Sequence, residues 1–391
     1  MNSEISKIKT PFWLDQKKRA VISQIAACLF VGFIGWYLIS NAVENLERQS
    51  IATGFGFLQK EASFEIGESA VSYSAADTYG KALMVGAINT LKVSVIGIIF
   101  SIVFGIFIGI ARLSSNWLIS KLALIYIEVM QNIPILLQLF FFYALFYDLF
   151  PPPRDALHPF SWIFISNRGF AVASPLFHFS YKFVFIAFIA GAAISYVIKR
   201  ISDKRERKTG KIFRVFYPAL FLMIGAPIIT WILTGAYFKI DMPVLSGFNF
   251  KGGAVLSPEF AALLCGLILY TAAFIAEIVR AGIQSVSKGQ KEAAASLGLK
   301  KGQIMGLVIL PQALRVMIPP LTSQMLNLVK NSSLAIAIGF PDFVSVANTT
   351  INQTGQSIEG VALIMAFYLA FSLIASYLMN LYNKKMALKE R

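Results

Sequence analysis

The stretch NTLKVSVIGIIFSIVFGIFIGIARL, residues 89–113, carries no charge between Lys92 and Arg112. The 19 uncharged residues between those two cations, rising about 1.5 Å each as a helix, span about 28 Å, close to the thickness of a bilayer's hydrocarbon core. A helix on the surface of a soluble domain would interrupt such a run with a polar face. The stretch therefore reads as a transmembrane helix. Its Gly97, Ser101, Gly105 and Gly109 recur every four residues, a face on which another helix can approach closely. That face suits packing within the subunit and contact with a second subunit equally well.

Similar runs lie on either side, near residues 20–40, 118–147, 181–198, 214–236, 258–279, 313–338 and 360–381. The expected fold is an all-α integral membrane protein with about eight transmembrane helices. Composition agrees, since the 391 residues are 57% apolar and only 14% charged, against about 25% charged in soluble proteins. With the N-terminus cytoplasmic, inner segments hold 24 Lys and Arg and outer segments eight, while Lys92, Arg315 and Lys330 fall within or at the edges of spans. This asymmetry places both termini inside. It also accounts for the net charge of +15 by topology and attraction to anionic lipid, with no need for nucleic acid. The basic run KRISDKRERKTGKIFR (199–214) reads as a solvated inner loop. Ser40-Asn41-Ala42 resembles a signal-peptide cleavage site, but the apolar run before it is long for a signal peptide, and the first span is expected to be retained.

Four parts follow along the chain. Residues 1–82 hold the N-terminus, the first span and an outer loop containing Glu44, Glu47, Glu61, Glu65, Glu68 and Asp77; residues 83–147 hold spans 2 and 3. Residues 148–257 form an insert with the composition of a lipid-facing helical hairpin, and 258–391 hold spans 6 to 8. Pro134 removes a backbone donor in the middle of span 3, so the freed groups must find partners in protein or water. The Gly-, Asn- and Thr-rich segment 339–359 reads as a structured cap or docking loop. No catalytic centre is visible. His158 and His178 stand apart in an outer loop, Cys28 and Cys265 fall inside spans, and no phosphate-binding Gly-x4-Gly-Lys-Ser/Thr occurs.

One polar island interrupts the apolar pattern on the inner side: GQKEAAASLGLKKGQIMGLVILPQ, residues 289–312. Gln290 to Leu297 are good helix formers and Gly298 a suitable stop. The resulting helix of about two turns is too short to be stable alone and needs a partner surface. Ala293, Ala294 and Leu297 are spaced to share a face, Glu292 lies near the N-terminal end of the dipole, and Leu310-Pro311 reads as a restart into span 7. A linker helix lying on the membrane surface fits the same spacing.

The spacing of Glu292-Ala293-Ala294, Gly298 and Val308-Ile309-Leu310-Pro311 resembles the Glu-Ala-Ala signature of permease subunits in ATP-binding-cassette importers. The family has Ile where Val308 stands. AAFIAEIVRAGIQSVSKGQKEAAASLGL, LPQALRVMIPPLTSQMLNLVKNSSLAIAIG and NTLKVSV resemble the polar amino-acid uptake branch. VMQNIPILLQLFFFY and TTINQTGQSIEG, together with the first span and the insert, are similar to the larger subunit type of the general L-amino-acid permeases. The resemblance implies a type I importer core of five helices (spans 2, 3, 6, 7 and 8), to which the first span and the hairpin are additions.

It further implies a mechanism and partners. Two permease subunits, here a heterodimer with a related chain, form a pathway for an L-amino acid delivered by a periplasmic binding protein. Two ATPase subunits carry ATP and Mg and each receive a coupling helix, here about 289–300, with Glu292, Ala293, Ala294, Leu297 and Gly298 at the contact. This chain binds no cofactor. Pathway candidates are Gln324, Asn327, Lys330, Asn331, Ser332 and Ser333 in span 7, because a cation at depth in the membrane usually faces a cavity or a partner. Gln131, Asn132 and Gln138 beside Pro134 join them. Both sets also suit a role as caps of interrupted helices that bind one another, the reading favoured over direct substrate contact. Glu277 and Arg280, three residues apart, read as an intrahelical ion pair or as snorkelling side chains rather than substrate ligands. A self-energised secondary transporter and a non-transporting membrane scaffold are the competing functions. Against the former stand the few mid-membrane carboxylates and the absence of an inverted repeat.

Overall fold

The computed structural model describes residues 16–48, 53–176, 179–210, 215–235 and 239–386. His178 lies outside them. In chain order the elements begin with α1 (Gln16–Arg48), α2 (Tyr79–Arg112), α3 (Trp117–Asn132) and α4 (Ile135–Ala144). Strands β1 (Leu157–Phe160), β2 (Ile163–Ser166), β3 (Gly169–Val172) and β4 (Ser174–Pro175) come next, followed by α5 (Tyr181–Thr209), α6 (Phe216–Leu220) and α7 (Ala226–Leu233). Then follow β5 (Ile240–Asp241), β6 (Val244–Ser246), β7 (Asn249–Lys251) and β8 (Ala254–Leu256). The chain ends in α8 (Pro258–Gln284), α9 (Lys288–Ser296), α10 (Lys301–Ile304), α11 (Leu310–Asn331), α12 (Phe343–Thr354) and α13 (Ser357–Met386).

Among the described residues seven helical stretches are long and apolar enough to cross a membrane, and α3 with α4, divided at Ile133-Pro134, supplies an eighth. This matches the expected number and positions, including the two runs with the weakest apolar signal, at 181 and 313. The chain divides into two compact units, residues 1–132 with 267–391 and residues 133–266.

In the first unit the small-residue stripe of α2 closes onto α8. A Cβ at Gly105 would lie 2.5 Å from Cγ2 of Ile275 and 3.0 Å from the Ala272 carbonyl oxygen, and one at Gly109 2.7 Å from the Ala276 carbonyl oxygen. Of the two readings of the stripe, packing within the subunit is the one realised. Side chains of α2 and α3 reinforce the seam by donating to α8 carbonyls: Ser101 Oγ to Ile268 (3.4 Å), Tyr126 OH to Leu269 (2.6 Å) and Gln131 Nε2 to Ala273 (3.3 Å). In a bilayer such bonds add to the van der Waals packing that holds helices together.

Residues 53–78 form an ordered strap where the sequence suggested only an acidic loop. Phe57, Ala62, Tyr79, Ala82 and Leu83 pack with Phe343, Val346 and Ala347 of α12 in one buried cluster. The Gly54 N–H donates to Glu359 (2.6 Å), and Lys92 pairs with Glu68 at 2.8 Å. The Lys81 ammonium and the Ser74 N–H, both bonded to Asp77, hold that carboxyl below its ordinary range. Within segment 339–359, residues Phe343–Thr354 form a helix. Asp342 caps α12 by accepting from Ser345 N at 2.8 Å, and Gly355 ends it in the left-handed region at φ +72°. Asp342 is fully buried, and loss of water pushes its carboxyl up to about 7.

The second unit contains the expected helical hairpin, α5 with α6 and α7. It also contains short strands that the insert's composition did not disclose. They form an antiparallel sheet in the order β1-β2-β3-β8 and two two-stranded ribbons, β4-β5 and β6-β7. Phe250, Ala156 and Ala171 form a small core beneath Phe164.

Candidate functional site

The segment that sets 289–312 apart begins where α8 ends at Gln284. Val286 turns into an apolar cluster with Ile275, Val279, Ile309, Ala313 and Met317, so α9 is hung between α8 and α11 by buried contacts on both flanks. The helix starts at Lys288, two residues before the expected Gln290, and runs to Ser296. Its end is a Schellman motif: Gly298 N–H donates to Ala295 (2.9 Å) and Leu299 N–H to Ala294 (3.3 Å), with Gly298 at φ +78°. An L side chain there would be strained by about 1–2 kcal/mol. The glycine expected to stop the helix does so for this reason.

Two details of the expected face are corrected. Ala293, Ala294 and Leu297 do not share one surface: Ala294 is 4% exposed against its own subunit, whereas Leu297 is 81% exposed and Ala293 also faces out. Adjacent helix positions differ by about 100°, so Ala293 and Leu297, four apart, form the outward pair and Ala294 the inward anchor. Glu292 is the fifth residue of α9 rather than part of its first turn, and the dipole's effect fades within that turn. Its carbonyl instead accepts from Ser296 Oγ (3.0 Å).

Nor does Leu310-Pro311 restart the chain. Helical structure runs from Lys301 through a π turn at Met305–Ile309 into α11. The wider turn absorbs the donor that Pro311 lacks and relieves its ring's clash with the preceding turn.

The pathway candidates fall into two groups. Several are occupied in holding backbone. Gln138, 5% exposed, donates to the Ile133 carbonyl at 2.9 Å, a group that the break at Pro134 deprives of its helical donor. Ser332 and Ser333 donate to Val329 (2.7 Å) and Lys330 (2.6 Å) where α11 tightens into a 3₁₀ segment, Ser332–Ile338. Gln131 is spent on Ala273, and Asn132 donates to the Glu128 carbonyl at 2.7 Å. Asn331 is half-buried. The others lie on the outward side: Asn327 and Lys330 are exposed, Gln324 is partly so, and exposed Ser323, whose hydroxyl donates to the Pro319 carbonyl at 3.4 Å, completes an i, i+4, i+7 stripe on α11. Glu277 and Arg280 form the expected ion pair, with Arg280 Nε 2.9 Å from Oε2.

Eight apolar spans, one of them broken at a proline, and a short helix tied to a glycine stop define a class that comparison with known proteins identifies. The family profile described as "Binding-protein-dependent transport system inner membrane component" matches residues 204–388. The general L-amino acid transport system permease protein AapQ of Rhizobium johnstonii is 47% identical over 379 residues, covering 96% of this chain and 94% of that one. The chain therefore belongs to the inner-membrane permease subunits of amino-acid ATP-binding-cassette transporters. Similarity at that length extends to the putative amino-acid permease YhdX of Escherichia coli (49%, 95% of each chain) and to the glutamate/glutamine/aspartate/asparagine permease BztB of Rhodobacter capsulatus (40%, 96% of each). It is a multi-pass inner-membrane transport component rather than an enzyme, working with further permease, ATPase and binding-protein subunits. Neither a self-energised transporter nor a scaffold fits that family.

Proposed function

We propose that this subunit forms half of an import pathway for polar and general L-amino acids. Its companion is a different but related permease chain, and both of its termini lie in the cytoplasm. The relatives' names supply the cargo class, and the Lys and Arg asymmetry supplies the orientation. A periplasmic binding protein delivers the amino acid, and ATP with Mg acts on two separate ATPase subunits.

The observation that carries the reading is α9. Its nine residues are too few to hold a helix in water. They are kept helical by Ala294 and Val286 inside and by the Gly298 stop, while Ala293 and Leu297 project unpartnered among the described residues. A small apolar knob on a fixed helix fits a groove on an ATPase surface, and movement of that groove on nucleotide binding would be passed through the apolar cluster at Val286 and Ile309 to α8 and α11. The polar stripe Ser323, Asn327 and Lys330, with Gln324 beside it, then faces the pathway, where the ammonium meets a substrate carboxylate. Gln131, Asn132, Asn331, Ser332 and Ser333 hold the helices of the same unit, and Gln138 caps the break at Pro134.

Leu297→Asp tests the coupling. The assembled complex should keep its subunits in the membrane and lose ATP hydrolysis stimulated by liganded binding protein. Full stimulation in that variant would remove α9 as the coupling element.

A further inference from the structure

The inserted hairpin carries a feature that transport of an amino acid does not use. α5 and the chain leading into α7 approach closely at Gly191, where a Cβ would lie 2.1 Å from the Leu222 carbonyl oxygen. A π turn at Phe221–Gly225, followed by Pro227, then carries the second helix on. The pair is tied again at its far end, where Ser180 Oγ donates to the Thr234 carbonyl at 3.2 Å. Between the two ties runs a groove of about 520 Å³ lined by Tyr181, Lys182, Val184, Phe185, Phe188 and Pro227. Residues 181, 184, 185 and 188 follow helical spacing along one wall.

The lining on α5 runs from Tyr181 to Phe188, about 10 Å of helix, which lies within the depth of one leaflet, about half of the roughly 30 Å hydrocarbon core. The groove's walls are apolar along that length, and its only cation, Lys182, stands at the end where the span meets the strands. Lys182 makes no ion pair among the described residues and rests over the ring of Phe179, 5.0 Å from its centroid. An ammonium and a tyrosine at the mouth of an apolar slot about 10 Å long and contained in one leaflet match a phosphate attached to an acyl chain.

We infer that this groove holds one anionic glycerophospholipid of the leaflet on the strand side, its chain along Val184, Phe185 and Phe188 and its phosphate at Lys182. The site belongs to the insert, so the lipid fastens the hairpin's own two helices and stays with the subunit through purification.

The test is to purify the full transporter, exchange its lipids in an equimolar mixture of phosphatidylglycerol and phosphatidylcholine, and count retained lipids by native mass spectrometry. Wild type and Lys182→Arg should each keep one phosphatidylglycerol in preference to phosphatidylcholine. Lys182→Gln should lower that retention at least about fivefold, and Val184→Trp, which fills the slot and leaves the charge, should abolish it. Equal retention of both lipids by the wild type, or unchanged retention in Lys182→Gln, would overturn the site. A photo-crosslinker at Phe188 should label lipid; labelling of another protein subunit would overturn it as well, and this readout holds if a substituted subunit fails to assemble.

Discussion

Substituting Gly105 by alanine isolates the α2–α8 seam. The added Cβ would sit 2.5 Å from Ile275 Cγ2, 2.6 Å from Ile275 Cβ and 3.0 Å from the Ala272 carbonyl oxygen. Ordinary contact begins near 3.4 Å, so about 0.9 Å must be found. A change of Ile275 rotamer moves Cγ2 but neither Cβ nor the backbone oxygen, which leaves separation of the helices as the relief. Overpacking of this kind costs about 1–3 kcal/mol, and here it also lengthens the hydrogen bond from Ser101 to Ile268, one turn away along α2. Thermal unfolding of the purified transporter in detergent should show the loss. Gly306→Ala is the control, because a Cβ there meets nothing within 4 Å. Gly105→Ala melting with Gly306→Ala and the wild type would refute the packing argument. A variant subunit that melts normally but no longer pairs with its companion subunit would show that the stripe faces outward.

Other perturbations probe separate parts. Asp342 is about 7 when folded against an ordinary 3.8, so the folded protein holds a proton that the unfolded chain releases, and stability falls as pH rises from about 4 to about 7, by on the order of 4 kcal/mol. Asp342→Asn keeps the cap and should flatten melting profiles across that window; an unchanged slope would assign it to other groups. Gln138→Leu leaves the Ile133 carbonyl without its donor and should cost about 1–3 kcal/mol, read as a lower melting temperature. Lys330→Met should reduce uptake into proteoliposomes about tenfold, the equivalent of one charge-assisted hydrogen bond, with assembly intact; unaltered uptake would take Lys330 out of the pathway. Lys92→Met removes the ion pair to Glu68, whose side chain is 12% exposed, and should make residues 53–78 more accessible to protease.

The spans were legible because a bilayer imposes one length and one polarity on every segment that crosses it, and runs such as 93–111 satisfy both without reference to the rest of the chain. The Gly298 stop was legible for a similar reason: it is local, and few residues other than glycine tolerate φ +78°. What escaped was set by distant partners. Whether Ala293 or Ala294 faces inward depends on where Met305–Ile309 lies, which the spacing of α9 does not contain. The strands of the insert are two to four residues long, too short to establish an alternation. Gln138 and Ser332 look like substrate ligands in sequence because the groups that cap a broken helix are those that bind an amino acid.

The bond from Gly54 to Glu359 joins residues 305 positions apart. At about 5–20 residues per second, a ribosome needs roughly 15–60 s between making the strap and completing the first turn of α13. Throughout that interval Phe57 and Tyr79 wait without α12 to cover them. The first turn of α13 thus latches a segment made 305 positions earlier, and a chain truncated before α12 would be left with its strap open, available to proteases that remove unfinished copies.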